Sequence, residues 1–369
     1  MVSISYIFFM KLFISCPFWL GSLLSQELKK LWYTPFNTFQ TWTFVVSDFS
    51  WMMNINYHSR IANKVYIQIA EWNAKTFDEL FEIVKYSDYP QFSSNSNITI
   101  KAQSKDSQLN SLRTIQSISH KAVLESIKNF SYEEKREDDL LVILEKNKVI
   151  FYLNSSWKAL YQRGYRKVTW EAPLKENIAA SLLLLSGRKF KSPMYDYFCW
   201  SWTIAIEAAL LAKNIAPWTR RHFTFEHFKN FEKLKFEEIK KKAKKNEFKW
   251  EYQIFASDIN DNMVNISKDN AKIAGVDNII KFSQKDFLHE NIDGKEKLRI
   301  ISNPPYWKRI WDEKELRLIY EKLQKSFYWN IFWWWISSRN FVWKDKNIRS
   351  EKKLFNWNEE CTFYRRKPN

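Results

Sequence analysis

Cysteine is scarce in this chain, and no long apolar segment is free of charged residues. The three cysteines among its 369 residues, Cys16, Cys199 and Cys361, cannot form a framework of disulfides and lack the paired spacing of a metal site. We therefore expect no metal and a reducing, cytoplasmic environment. Lys11 interrupts the apolar residues of 1–24, so the sequence predicts a buried strand in this region and no membrane partner.

Glycine is also scarce, whereas tryptophan is abundant. The chain has 5 glycines and 19 tryptophans, although an ordinary usage of ~7% would give about 26 glycines in a chain of this length. Trp32 and Trp218 follow apolar helical segments, at positions where helices end in the left-handed conformation that favours glycine. We hypothesise that a codon meaning glycine in the source organism has been translated as tryptophan. The alternative is a protein that is truly rich in tryptophan.

Positive charge dominates the ionisable residues. The chain has 58 Lys and Arg against 41 Asp and Glu, a formal net charge of +17, while 45% hydrophobic residues are typical of a globular protein. A surplus of this size suits a polyanionic partner. We therefore expect a nucleic acid partner, with a basic protein that lacks one as the alternative.

Two patterns of secondary structure meet near Asn154. Before that residue short strands and helices alternate, and Thr76 and Glu79 have the spacing of a helix capping box. After it, apolar strands alternate with longer helices, which predicts an α/β domain with a parallel sheet. The lysine-rich segment 229–249 fits a solvated helical insertion at least as well as an RNA contact.

The residues Asn303-Pro304-Pro305-Tyr306 follow the predicted strand 298–302, and ligands of α/β domains bind at the carboxyl ends of strands. An amino group on a nucleobase is a poor nucleophile, because its lone pair is delocalised into the ring. The Asn oxygen and the carbonyl of the first proline can accept its hydrogens, while the aromatic ring stacks on the base. The motif therefore predicts catalysis at an amino group, with a chance proline turn as the alternative.

A second segment, DYFCWSWT, leads into an apolar helix. With glycine in place of both tryptophans it resembles DPFCGSGT, a motif of the class I methyltransferases that modify amino groups. In that family the glycines let the backbone approach S-adenosylmethionine, which tryptophan side chains would obstruct. The resemblance implies S-adenosylmethionine as the cofactor and assigns its binding to Asp196, Phe198, Cys199, Trp200, Ser201, Trp202 and Thr203.

Two acidic residues follow the next predicted strands. Asp258 ends the second strand, where a carboxylate can accept hydrogen bonds from both ribose hydroxyls. Asp286 ends the third, where the family binds the adenine amino group. An isolated Asp after a strand is more often a turn residue, but the order and spacing of these two residues favour cofactor binding.

The resemblance extends over most of the chain. Residues 162–167 and 171–176 are similar to the start of the catalytic domain in bacterial 23S rRNA guanine-N2 methyltransferases, and 354–356 with 361–364 to its closing strand pair. Residues 75–123 resemble segments of the family's THUMP module, which presents a basic surface to structured RNA.

The family implies a specific organisation of domains. We expect an N-terminal ferredoxin-like segment over 10–55 and a THUMP RNA-binding domain over 56–153, together an α+β module. A methyltransferase domain then covers 154–369, with a mostly parallel, seven-stranded Rossmann-like sheet that includes one antiparallel strand. The expected reaction is methyl transfer to the N2 amine of a guanine in 23S rRNA.

Arg163, Arg166 and Lys167 precede the catalytic core and suit contacts with RNA phosphates, although a solvated charge cluster is equally consistent. A tRNA guanine-N2 methyltransferase shares the expected architecture. Adenine-N6 methylases of DNA and glutamine-N5 methylases of proteins share the Asn-Pro-Pro-Tyr loop but usually lack the N-terminal module. An RNA-binding protein with an inactive catalytic half is the remaining alternative.

Overall fold

A computed structural model describes most of the chain. The described residues are 9–127, 137–166, 174–187, 193–199, 202–217, 221–291, 299–305, 313–327, 331–336, 348–356 and 359–366. They form two compact units. The first comprises the described residues of Met1–Cys16, Leu24–Leu160 and Trp218–Lys241, and the second those of Pro17–Leu23, Tyr161–Pro217 and Lys242–Asn369.

The first unit contains a six-stranded sheet. Its strands are β1 (Met10–Ser15), β2 (Trp42–Ser47), β3 (Lys64–Asn73), β4 (Ile98–Lys105), β5 (Asp138–Glu145) and β6 (Lys148–Asn154). Their order is β2-β1-β3-β6-β5-β4, and every neighbouring pair is antiparallel except β4 with β5. Alternate residues of β2 are buried, as in a half-buried strand, whereas β1, β3, β5 and β6 each contain at least three consecutive buried residues.

Five helices accompany these strands: α1 (Gly21–Lys30), α2 (Phe49–His58), α3 (Phe77–Lys85), α4 (Tyr89–Phe92) and α5 (Leu112–Ser126). The predicted capping box is confirmed at the start of α3. The Thr76 hydroxyl accepts from the Glu79 amide at 3.2 Å, and the Glu79 carboxylate accepts from the Thr76 amide at 3.1 Å. Helix α3 therefore begins where its sequence satisfies two otherwise unpaired amide groups.

The second unit contains a seven-stranded sheet of order β12-β13-β11-β10-β7-β8-β9. Its strands are β7 (Met194–Asp196), β8 (Ile254–Asp258), β9 (Ile280–Gln284), β10 (Arg299–Ser302), β11 (Ile331–Ile336), β12 (Ile348–Asn356) and β13 (Glu359–Arg366). The five strands from β11 to β9 run parallel, and β13 is antiparallel to both of its neighbours.

Four helices follow the predicted alternation in the second half of the chain, together with a lysine-rich helix. They are α6 (Glu176–Leu185), α7 (Thr203–Ala212), α8 (Lys233–Lys245), α9 (Asp261–Ala274) and α10 (Glu313–Phe327). Helix α7, TIAIEAALLA, is buried on all sides except at Leu211, as expected for a helix that is apolar all round. Within the described ranges, no helix combines the length and apolar character needed to cross a bilayer.

The observed units differ from the predicted domains. Strand β1 pairs with both β2 and β3, so the predicted segments 10–55 and 56–153 share one sheet, and both belong to the first unit except for Pro17–Leu23, which belongs to the second. Residues 218–241 also belong to the first unit, whereas the prediction placed them in the catalytic domain. The lysine-rich composition of this region did not predict the return of the chain to the first unit, because such a segment is typical of any solvated helix.

Candidate functional site

The strand order of the second unit creates a crevice at the carboxyl ends of its parallel strands. From β7 the chain continues to β8 and β9 on one side, whereas β10 and β11 lie on the other side of β7. At such a switch point the loops after the two central strands diverge and leave room for a ligand. The predicted cofactor loop follows β7 and the predicted catalytic loop follows β10, so the fold places both at this point.

A cavity of about 260 Å³ opens at the carboxyl ends of these strands. Its volume is near the lower end of the usual range for small-molecule sites. It brings together residues from the ends of four parallel strands and from α10. Five of the predicted site residues line it: Phe198, Asp258, Asp286, Asn303 and Pro305. Its remaining lining residues are Tyr197, Ile259, Asn260, Lys285, Phe287, Glu315 and Ile319.

Ser302 links the ends of the two central strands. Its hydroxyl donates to the Asp196 carboxylate at 2.6 Å and accepts from the Tyr197 amide at 2.9 Å. Asp196 is the last residue of β7, and Ser302 directly precedes Asn303. The predicted cofactor loop and the predicted catalytic loop are therefore joined by a buried polar contact between the last residues of the strands that precede them.

Burial governs the ionisation of this contact. Desolvation raises the pKa of the Asp196 carboxyl to about 7, against the lowering effect of its hydrogen bonds from Ser302 and from the Phe198 amide. Burial likewise raises the pKa of the neighbouring Cys199 thiol, whose sulfur lies 3.6 Å from the Ser267 hydroxyl. Cys199 is therefore a protonated packing residue at neutral pH and not a nucleophile.

The two acidic residues of the predicted cofactor site take part in local turns and also line the cavity. Asp258 accepts from the Asn260 amide at 3.0 Å. Asp286 accepts from the Leu288 amide at 2.8 Å and lies 2.7 Å from the imidazole of His289. The turn interpretation and the binding interpretation are thus compatible, because a carboxylate can accept several hydrogen bonds.

Asn303 has an unusual environment in the catalytic loop. The residue is 7% exposed, and its side-chain oxygen has no hydrogen-bond partner among the described residues. A buried acceptor without a donor is costly, and such groups are rare in folded proteins. The following loop is held by Tyr320 of α10, whose hydroxyl donates to the carbonyl of Pro305 at 3.0 Å. Pro304 is buried, and Tyr306 lies outside the described residues.

The residues of the cavity fit the adenosine half of S-adenosylmethionine. Asp258 and Asp286 can accept hydrogen bonds from hydroxyl and amino groups, and Phe198 and Phe287, with ring centroids 4.9 Å apart, supply apolar walls. The loop after β7 fits less well. Trp202 fills buried space at the start of α7, and its indole N–H has no hydrogen-bond partner among the described residues; Thr203 is also buried. Trp200 and Ser201 lie outside the described residues.

The prediction that Arg163 contacts RNA phosphates is wrong. Its side chain is 1% exposed and donates through Nε to the Glu207 carboxylate of α7 at 2.6 Å. Arg166 is 11% exposed and lies 3.0 Å from the Glu176 carboxylate, while its guanidinium also donates to the Thr203 hydroxyl at 3.0 Å. Both arginines brace α7 from inside the unit, and Lys167 lies outside the described residues.

Sequence reasoning missed several residues of the site, among them three that position its loops or form its wall. Ser302 and Tyr320 position the two loops, and Phe287 forms part of the cavity wall. A polar residue that ends the apolar strand RIIS was a usable signal for Ser302. Nothing local marked Tyr320, because its contact with Pro305 depends on where α10 packs. Among the described residues, no group of three acidic, His or Cys side chains could hold a metal ion.

Comparisons with known proteins agree with this geometry. Residues 163–333 match the family model described as "RMKL-like, methyltransferase domain". A curated relative from Bacillus subtilis (strain 168), "Putative RNA methyltransferase YpsC", is 34% identical over 328 residues, which cover 83% of this chain and 82% of the relative.

A second relative is much longer than this chain. "Ribosomal RNA large subunit methyltransferase K/L" from Shewanella baltica (strain OS155) is 29% identical over 358 residues. These cover 92% of this chain but only 50% of the relative, so the chain spans about half the length of that protein.

A solved structure extends the comparison to the cofactor. The structure titled "Crystal structure of SMU.472, a putative methyltransferase complexed with SAH" has a TM-score of 0.86 and is 25% identical. The alignment covers 97% of each chain. The prediction of S-adenosylmethionine as the cofactor is confirmed, since a neighbour of the same fold binds its demethylated product.

Proposed function

Because the chain belongs to the RMKL-like methyltransferase family, we propose that it methylates RNA at the N2 amine of a guanine, with 23S rRNA as the substrate. Methyl transfer from S-adenosylmethionine follows from the family and its solved neighbour. The choice of RNA rests on the names of two relatives and on the net charge of +17. The choice of a guanine amine rests on the catalytic loop and on the sequence resemblance.

The observation that carries the proposal is the side-chain oxygen of Asn303. It lies buried at the wall of the cavity without a donor among the described residues. The exocyclic amine of a guanine would supply that donor. Such an acceptor is already oriented before the substrate arrives, so no reorganisation is required as the reaction proceeds.

The chemistry of the amine explains why an acceptor is needed. When bound, S-adenosylmethionine supplies an electrophilic methyl group. Asn303 and the main-chain carbonyl of Pro304 accept the two amine hydrogens, which draws the nitrogen lone pair out of conjugation with the ring. Ser302 and Tyr320 hold the flanking backbone in place, so that the acceptors keep their geometry through the reaction.

The first unit is proposed to bind the RNA. Its six-stranded sheet with flanking helices contains the segments that resemble a THUMP module. Residues 233–241 of the lysine-rich helix α8 also belong to this unit and supply further basic side chains, of which that of Lys235 is 49% exposed. Contacts between such a surface and the RNA phosphates would fix the register of a structured RNA, while the catalytic loop selects the base.

Nucleoside mass spectrometry tests the proposal directly. The unaltered chain and its Trp200→Gly/Trp202→Gly variant are each incubated with S-adenosylmethionine and ribosomal RNA, transfer RNA or duplex DNA. We expect N2-methylguanosine in ribosomal RNA. Modification of transfer RNA alone would show that transfer RNA, and not ribosomal RNA, is the substrate. Methyladenine or methylated DNA would refute the proposed reaction.

Asn303→Ala is the matched control in the same experiment. Loss of one preorganised polar contact to the reacting group typically lowers turnover by about two to three orders of magnitude. Binding of S-adenosylhomocysteine, measured by calorimetry, should be nearly unchanged, because the cofactor-facing carboxylates remain. An Asn303→Ala variant with full turnover would remove this residue from the mechanism.

A further inference from the structure

Four tryptophans have a backbone conformation that suits glycine. Among the described residues, nine that are not glycine have positive φ. Five of them are Asn, Asp or Lys, and Asn and Asp commonly tolerate this region. The other four are Trp19 (φ 67°), Trp32 (φ 70°), Trp157 (φ 69°) and Trp202 (φ 38°).

The end of α1 shows the mismatch most clearly. The Trp32 amide donates to the carbonyl of Lys29 and the Tyr33 amide to that of Leu28, both at 3.0 Å. This pair of hydrogen bonds defines a Schellman motif, whose left-handed residue, here Trp32, is usually glycine. The Trp32 side chain is 86% exposed, so little packing offsets the strain.

Two other helices of this chain end in the same motif. At the end of α9, Gly275 occupies the left-handed position, with amide bonds from Gly275 to Lys272 and from Val276 to Ala271 at 3.0 and 2.9 Å. At the end of α7, Asn214 occupies it with φ 53°. Glycine and asparagine are the two residues expected there, and tryptophan is the exception.

Two of the remaining tryptophans lie in tight connections. Trp19 precedes Leu20, whose amide closes a turn onto the carbonyl of Pro17 at 3.1 Å. A positive φ at the third residue of such a turn is the condition that glycine satisfies in type II turns. Trp157 follows β6, and its main-chain carbonyl accepts a hydrogen bond from the side-chain amide of Asn154 at 2.8 Å.

Trp202 lies in the loop that should hold the cofactor. It is the left-handed residue before α7, is 2% exposed, and leaves its indole N–H unpaired among the described residues. A glycine at this position would remove the strained backbone conformation and the unpaired donor together. It would also leave the first backbone amides of α7 open to a ligand.

We infer that the functional protein carries glycine at positions 19, 32, 157 and 202, and that the cofactor loop is a glycine loop. One cause explains all four: a codon decoded as glycine in the source organism has been read as tryptophan. The composition agrees, since the chain has only 5 glycines but 19 tryptophans, the reverse of the usual abundance of these residues. This inference does not depend on which nucleic acid is the substrate.

Peptide mass spectrometry of the protein from its source organism provides the direct test. We expect glycine at all four positions and the same codon at each of them in the gene. Tryptophan at positions 32 and 202 of the natural protein would overturn the inference. Neither result depends on activity or on the folding of a variant.

Equilibrium unfolding of the full chain gives an independent test. Trp32→Gly should raise the ratio of folded to unfolded protein about tenfold, because it relieves a left-handed conformation at a bulky residue. Gly275→Trp is the matched control and should lower that ratio by a similar factor, since it creates the same strain in the same motif. A Trp32→Gly variant that is no more stable than the unaltered chain would contradict the structural argument.

Calorimetry with S-adenosylhomocysteine tests the cofactor loop. The Trp200→Gly/Trp202→Gly variant should bind this probe at least about tenfold more tightly than the unaltered chain, because the backbone can then approach the ligand. Equal affinities would refute the role assigned to position 202. If the variant binds the probe but methylates no RNA, the proposed function fails while this inference stands.

Discussion

The buried ion pair between Arg163 and Glu207 offers a sharp test of how α7 is held in place. Glu207→Gln keeps the size of the side chain and removes its charge. The two side chains are 1% and 0% exposed, so the remaining guanidinium cannot be solvated by a small rearrangement. Tyr165, whose hydroxyl lies 3.3 Å from the same carboxylate oxygen, would keep a hydrogen-bonding partner in the amide.

The expected loss of stability can be estimated in two ways. Unit charges about 4 Å apart attract by ~4 kcal/mol at the effective dielectric constant of a protein site. Measured losses on breaking one partner of a buried pair are about 3–5 kcal/mol. We therefore expect Glu207→Gln to lower the free energy of unfolding by roughly 3–5 kcal/mol, a large part of the total stability of an ordinary domain.

Urea denaturation followed by circular dichroism measures this change, with two controls. Glu237→Gln removes one partner of an exposed pair, Lys240–Glu237, and should cost less than about 1 kcal/mol. The double variant Arg163→Met/Glu207→Leu should recover most of the loss, because no charge stays buried. If Glu207→Gln resembles the exposed control, or if Arg163→Met mainly weakens RNA binding, the assignment of Arg163 as an internal brace is refuted.

Three further predictions follow from other contacts. The raised pKa of about 7 at Asp196 means that the folded state holds a proton more tightly than the unfolded state; stability should therefore fall as pH rises from about 4 to 7, and Asp196→Asn should flatten this slope in thermal unfolding. Tyr320→Phe removes the donor to the Pro305 carbonyl and should lower stability by about 1 kcal/mol and turnover severalfold, whereas an unchanged turnover would exclude a positioning role. RNA affinity of the full chain, measured by fluorescence anisotropy, should fall linearly on logarithmic axes as salt increases, and a flat response would argue against backbone contacts.

The candidate site was largely predictable because its signals are local. The catalytic loop, Asp258 and Asp286 each follow a short apolar strand, and parallel strands carry such residues to one edge of a sheet. The contact of Ser302 with Asp196 was not predictable in this way, since it requires β7 and β10 to be neighbours although the residues are far apart in sequence. The prediction for Arg163 was wrong for a related reason. A charged residue in a basic segment is expected to be exposed, and its buried partner, Glu207 of α7, is distant in sequence.

Short strands and helices were also predictable before Asn154, and the structure has six strands there. Their assembly into one sheet was not predictable, because β1 must pair on both sides with strands that follow it. The left-handed tryptophans are an instructive case. The sequence suggested glycine from composition, from the helix ends at Trp32 and Trp218, and from the loop that contains Trp202. The backbone of the structure then identified four particular positions, which include Trp32 and Trp202, whereas Trp218 lies outside the described residues.

The return of residues 218–241 to the first unit has a consequence for synthesis on the ribosome. That unit lacks its last segment until residue 241 has been made. At ~5–20 residues per second, the roughly 80 residues between the end of its main segment and the end of the returning one take about 4–16 seconds to translate. During that interval residues 161–217 of the second unit are synthesised, so the first unit cannot be completed before synthesis of the second has begun. A nascent chain stalled shortly before residue 218 should accordingly be far more sensitive to protease in its N-terminal half than one stalled well beyond residue 241.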